Sequence, residues 1–238
     1  MKYPLRSFRL YMALRTYSIY VAPLMLAAVL ALTILAGLIT GIVTGFPLPQ
    51  EVASTFTGLG MLVSVLIGFF ISSAALAVNR TFATVLAFGG TRRDFWVGSS
   101  MGFAVTALIA ATCGTILLGL EHLTDGWMIG LPVFATPVLG DGHPVVTFVA
   151  IFAYSMAALF TGAAFGTIFR AFGATAVTGA IVGAVLLLAA AVALFVWQRD
   201  FTMDFIRSLG AWAPTVGVAA FAVVCLAVSY GANQRATV

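Results

Sequence analysis

Six stretches of this chain run for 17 to 27 residues without a single Asp, Glu, Lys, Arg or His: residues 19–43, 52–78, 95–119, 145–169, 174–197 and 214–230. Each matches the length needed to cross about 30 Å of hydrocarbon at about 1.5 Å per residue. In lipid the backbone has no water to bond to, so a spanning segment closes its own hydrogen bonds as a helix or joins a closed barrel. Barrel strands alternate polar and apolar residues over about ten positions, and these runs do not. The expected fold is therefore all-α: one transmembrane domain of six helices covering residues 1–238. Composition agrees, since 62% of the residues are hydrophobic and 8% are charged, against about a quarter charged in soluble domains.

Basic residues set the orientation. With the N-terminus inside, the inner segments hold Lys2, Arg6, Arg9, Arg15, Arg80, Arg92, Arg93, Arg170 and Arg235, and the outer loops hold Arg199 and Arg207. The acids are reversed, with Glu51, Glu121, Asp125, Asp141, Asp200 and Asp204 outside and Asp94 inside. Both termini are thus expected in the cytoplasm. Residues 1–18 read as an inner, interfacial segment, in which Leu5, Phe8 and Met12 share one helical face near Arg6 and Arg9. Residues 198–213 mix charge with aromatic anchors and read as interfacial at the outer side. The apolar run at residue 19 is too long for the core of a cleavable signal.

Several chemistries find no support. A P-loop needs Lys after a Gly-rich turn, and the sole lysine is Lys2. No cofactor is expected on this chain. Cys113 and Cys225 lie in apolar runs and read as small buried hydrophobes. Glu121, His122, Asp125, Asp141 and His143 share an outer loop, yet their spacing matches no compact metal-ligand pattern. Ser99 and Ser100 have neither a histidine nor an acid within the spans to activate them. The absence of ionisable groups there also disfavours proton coupling. Nothing in the sequence calls for nucleic acid.

The segment between the second and third runs is the informative one. Phe82, Val85 and Leu86 fall at i, i+3 and i+4, forming an apolar stripe. Gly89-Gly90 supplies a left-handed stop. Thr91, followed three residues later by Asp94, is a capping-box start, and Arg92 and Arg93 sit at the headgroup boundary. The pattern reads as helix, sharp turn, helix. Such an elbow suits docking in a partner's groove; equally, the arginines serve as topology anchors and the stripe rests on lipid.

The run Leu86-Ala87-Phe88-Gly89-Gly90-Thr91-Arg92-Arg93-Asp94-Phe95 resembles the elbow of small six-span bacterial ABC-2-type transporter permeases. Gly90 departs from the Ala or Val commoner there, which would loosen the turn. The resemblance implies that residues 80–88 are a coupling helix contacting a separate ATP-binding subunit, which would carry the ATP and Mg. It implies that residues 5–17 are an inner-leaflet connecting helix and that residues 198–213 are short outer re-entrant helices. The contact set would comprise Arg80, Phe82, Val85, Leu86, Phe88, Gly89, Gly90, Thr91, Arg92, Arg93 and Asp94. Two permease chains would pair, identical or not, through spans one and five. Gly37, Gly41 and Gly45 in span one, with Gly179 and Gly183 in span five, are small-residue motifs that fit such a seam; packing within one chain is the competing use.

The expected function is a permease subunit of an ABC-type exporter in the bacterial cytoplasmic membrane. It would move an amphipathic substrate, a drug, peptide or lipid, through spans rich in Thr and aromatics. The alternative is a non-transporting membrane anchor, regulator or immunity protein.

Overall fold

The computed structural model describes residues 2–13, 19–58 and 61–235. Among them, nine α-helices follow in order: α1 (Lys2–Ala13), α2 (Val21–Thr44), α3 (Gln50–Gly58), α4 (Met61–Ala87), α5 (Arg92–Leu123), α6 (Pro144–Phe172), α7 (Ala174–Trp197), α8 (Arg199–Leu209) and α9 (Ala213–Arg235). Six helical segments are long and apolar enough to cross a membrane, the architecture of a multi-pass membrane protein. Hydroxyls inside them are satisfied locally. Thr33, Thr106, Thr115, Thr161 and Thr167 each donate to the carbonyl four residues back, at 2.7–3.1 Å. That bond lets a threonine sit in an apolar span.

Helix α6 is the hub, packed against α4, α5 and α9. Apolar side chains gain nothing from leaving lipid, so close backbone approach must supply the packing. Gly162 and Gly166 provide it against α4. A Cβ on Gly162 would overlap the Ile71 carbonyl oxygen, and one on Gly166 would lie 3.2 Å from that of Ala75. Phe103 stacks edge-on against Phe160 of α6 (5.7 Å) and Tyr11 of α1 (5.4 Å).

Three expectations change. Around the second apolar run, expected to span residues 52–78, α3 covers Gln50–Gly58 and α4 covers Met61–Ala87, so α4 continues past the end of the run. Hydropathy falls at Asn79 and Arg80, but the helix continues because both side chains are exposed and its backbone bonds are internal. Residues 80–87 of the segment expected as a coupling helix are therefore the last turns of α4, and Phe88 begins the turn after it. Second, α1 packs on α5, a contact that the interfacial reading of this segment did not include. Ser7 and Tyr11 are buried while Leu5 is exposed, because Gly102 leaves room for the Tyr11 ring and Thr106 lies 3.4 Å from its hydroxyl. Residues 14–17 of the expected connecting helix, Arg15 included, lie outside the described residues.

Third, the span-one glycines serve this chain itself. Gly37 faces Leu131 and Ile129, and Gly41 lies under the Phe46 ring. Gly45 ends α2 at φ +95°. At Gly37 and Gly41 these neighbours are the chain's own, which is the competing use of the motif, packing within one chain. Gly179 and Gly183 differ, with open space around both. No described residue of α7 is buried, although this helix is apolar on every side.

Gly162→Ala is expected to cost about 1–3 kcal/mol by overpacking against backbone that cannot yield. Gly179→Ala, with open space in a helix interior, should be neutral or stabilising by up to about 1 kcal/mol. Thermal unfolding of the two variants in detergent reads the difference.

Candidate functional site: an elbow gripped by two helices

Helix α4 ends in a Schellman motif. The Gly90 N–H donates to the Val85 carbonyl (3.0 Å) and the Gly89 N–H to that of Leu86 (2.9 Å), with Gly89 at φ +78°. This 6→1 and 5→2 pair is the geometry that a left-handed glycine permits. Gly90 is also required: a Cβ there would come within 2.7 Å of Val85 Cγ1 and 3.0 Å of its carbonyl oxygen. The chain therefore packs closely against Gly90, where a side chain would force Val85 to shift.

Helix α5 starts on a complete capping box. Thr91 Oγ1 accepts from the Asp94 N–H (3.1 Å), and Asp94 Oδ2 accepts from the Thr91 N–H (3.1 Å) and hydroxyl (2.6 Å). Two of the four orphan donors of a helix start are thus satisfied within the elbow.

The root of the elbow is clamped from both sides. Phe82 and Phe95, each buried, meet edge-on at 5.1 Å. Arg170, in the last turn of α6, lays its guanidinium 3.8 Å from the Phe82 ring centre and 5.9 Å from that of Phe95. A cation over a ring face in a poorly solvated place is worth about 2 kcal/mol. From the other side, α9 contributes Asn233, whose Nδ2 donates to the Arg92 carbonyl at 2.8 Å. Arg92 Nη1 donates to the Gln234 carbonyl. Trp96 donates from Nε1 to Ser229 Oγ (3.1 Å) and stacks edge-on with Tyr230 (5.0 Å). Behind the elbow the helices close to a void of about 10 Å³ edged by Ser99, Ser100 and Ser229, about the room one water needs.

The expected contact residues thus separate into two groups. Phe82 and Val85 are buried, and Leu86 packs on the core. This stripe faces mainly the chain's own bundle, with Val85 also at the edge of a groove beside the tip. Arg80, Phe88, Gly89, Thr91 and Arg93 are exposed, Phe88 at 77%. Arg92 and Asp94 are half-buried, engaged with α9 and the cap. A groove of about 340 Å³ opens beside the tip, bordered by Arg6, Ser7 and Leu10 of α1 and by Val85, Phe88 and Gly90. Spacing alone could not decide which face of α4 turns inward, because Phe82/Val85 and Ala87/Phe88 are both apolar.

Arg170, Trp96, Ser229 and Asn233 were not singled out as site residues from sequence. Arg170 read as a topology anchor, and the other three sit in or beside apolar runs with no motif. The signal available was weak: an arginine within three residues of the end of α6, and a Trp near the start of the preceding helix, α5. Among the described residues no three His, Cys, Asp or Glu side chains gather to hold a metal.

Arg170→Ala is expected to cost about 2 kcal/mol of stability, with Arg170→Lys restoring part of it because an ammonium lacks the planar stack. Comparing thermal unfolding of the two variants tests the clamp; equal losses would remove the ring stacking from the account.

No family model matches the chain, and it matches no curated protein and no solved structure.

Proposed function

We propose that this chain is the membrane-spanning permease subunit of an ABC-type exporter in the bacterial cytoplasmic membrane. It works as a pair of chains with a separate subunit that binds and hydrolyses ATP, and its cargo is amphipathic: a drug, a peptide or a lipid. The observation that carries the reading is Phe88, 77% exposed, on a turn fixed at both ends by backbone motifs and clamped from behind. An exposed aromatic ring on a rigid support is the kind of anchor that fills a partner's pocket. The resemblance of residues 86–95 to permease elbows and the lack of a P-loop support the same reading. The arginines around the tip favour the inner face of the membrane and a partner groove with an acidic rim.

In this reading, closure of the ATP-binding subunits pushes on Phe88. The push passes into α6 through Arg170 and into α9 through Asn233 and Trp96. The bundle offers a void of about 10 Å³ behind the elbow, so cargo passes between chains, along the uncovered face of α7, rather than through one chain.

Affinity purification in mild detergent should bring down an ATP-binding subunit with the wild-type chain. Phe88→Asp should recover at least about tenfold less of it while eluting as the same monodisperse species. Undiminished recovery with Phe88→Asp would remove the tip from the interface. A wild-type preparation holding no ATP-binding subunit would favour a membrane anchor, regulator or immunity protein.

A further inference from the structure

At the end of the bundle opposite the elbow, residues 126–139 fold back over the helices, and one carboxylate holds them there. Glu121, in the last turn of α5, is 2% exposed. Its Oε2 accepts from the N–H groups of Val133 (3.0 Å) and Phe134 (2.8 Å) and from Trp127 Nε1 (3.2 Å). Its Oε1 accepts from the Ala135 N–H (3.0 Å). Residues 120–144 contain no Lys or Arg, so within this loop the negative charge is met by backbone and indole dipoles. Hydrogen bonds to an ionised acceptor are roughly twice as strong as neutral ones, and all four converge on one side chain.

The segment so held is under backbone strain. Asp125, Gly126, Trp127 and Met128 follow one another at φ 50°, 71°, 59° and 64°. Glycine takes this left-handed region freely and Asp visits it, but for Trp and Met it is costly. Beyond the strained turn, Leu131, Phe134 and Leu139 are fully buried. Leu131 and Ile129 pack on Gly37 of α2, and the Leu48 N–H donates to the Ile129 carbonyl at 3.0 Å. The stretch Pro137–Leu139 packs on α6 and α9. One segment thus covers the ends of α2, α5, α6 and α9.

We infer that residues 126–139 are a strained plug latched by Glu121. When the carboxylate lets go, the left-handed turn relaxes and the plug lifts, opening this end between α2, α5 and α6. Its use as the outlet gate of an exporter rests on the function proposed above; the latch itself does not.

Hydrogen exchange read by mass spectrometry tests it on the full chain in lipid nanodiscs, with no partner present. Glu121→Gln keeps the side-chain shape and removes the charge. Amides of residues 131–136 should then exchange at least about tenfold faster, with residues 150–165 of α6 unchanged. Met128→Gly, at an exposed position, relieves strain and should return part of the lost protection in the Glu121→Gln background. Unchanged exchange at 131–136 overturns the latch. An equal rise throughout α5 and α6 also overturns it, because Glu121 would then belong to the core fold. No recovery with Met128→Gly overturns the strain. A failed partner purification bears on none of these outcomes.

Discussion

The guanidinium of Arg170 over the Phe82 ring, with Phe95 edge-on beside it, is the contact on which the rest of the elbow depends. It is where α4, α5 and α6 meet at one membrane-facing end. Lipid chains are as apolar as leucine, so burying Phe82 gains little by solvent transfer there. A cation set against ring faces is directional and gains from low dielectric. Together with the edge-on Phe95 ring, it gives Phe82 a directional reason to pack inward. With it, the Schellman turn and the capping box have a fixed base to stand on.

Helix α5 ties the two ends of the molecule together. It begins in the elbow with the Thr91–Asp94 box and ends at the latch with Glu121, 32 residues in one piece, about 48 Å of rise. Helix α6 returns the other way, from Pro144 just after the plug to Arg170 under the elbow. The strongest polar contacts of the bundle therefore sit at its two ends. Between them, glycines and self-satisfied threonines do the packing. Such a molecule is stiff along its length and changes shape where those end contacts can break.

What was legible in the sequence follows from what each signal reports. Hydropathy reports depth in lipid, so five of the six spans read close to their helices. Helix α4 continues past Asn79 and Arg80, where hydropathy falls, because its backbone bonding does not end there. Helix-end chemistry is local, so Gly89 and the Thr91–Asp94 box read correctly from residue type and spacing. Face choice is not local. Phe82 turns inward because Arg170, 88 residues on, is waiting there, and Tyr11 turns inward because Gly102 makes room. Glu121 was hardest to read, because three of its four donors are backbone N–H groups, which every residue but proline carries.

The central claim is that α6 and α9 hold the elbow as one unit, and a double-mutant cycle tests it most directly. Thermal unfolding free energies would be compared for wild type, Arg170→Leu, Asn233→Ala and the double variant. If both residues grip one cooperative elbow, the losses fall short of additivity by about 0.5 kcal/mol or more. Losses that add within about 0.3 kcal/mol would mean two independent contacts, and would contradict the account.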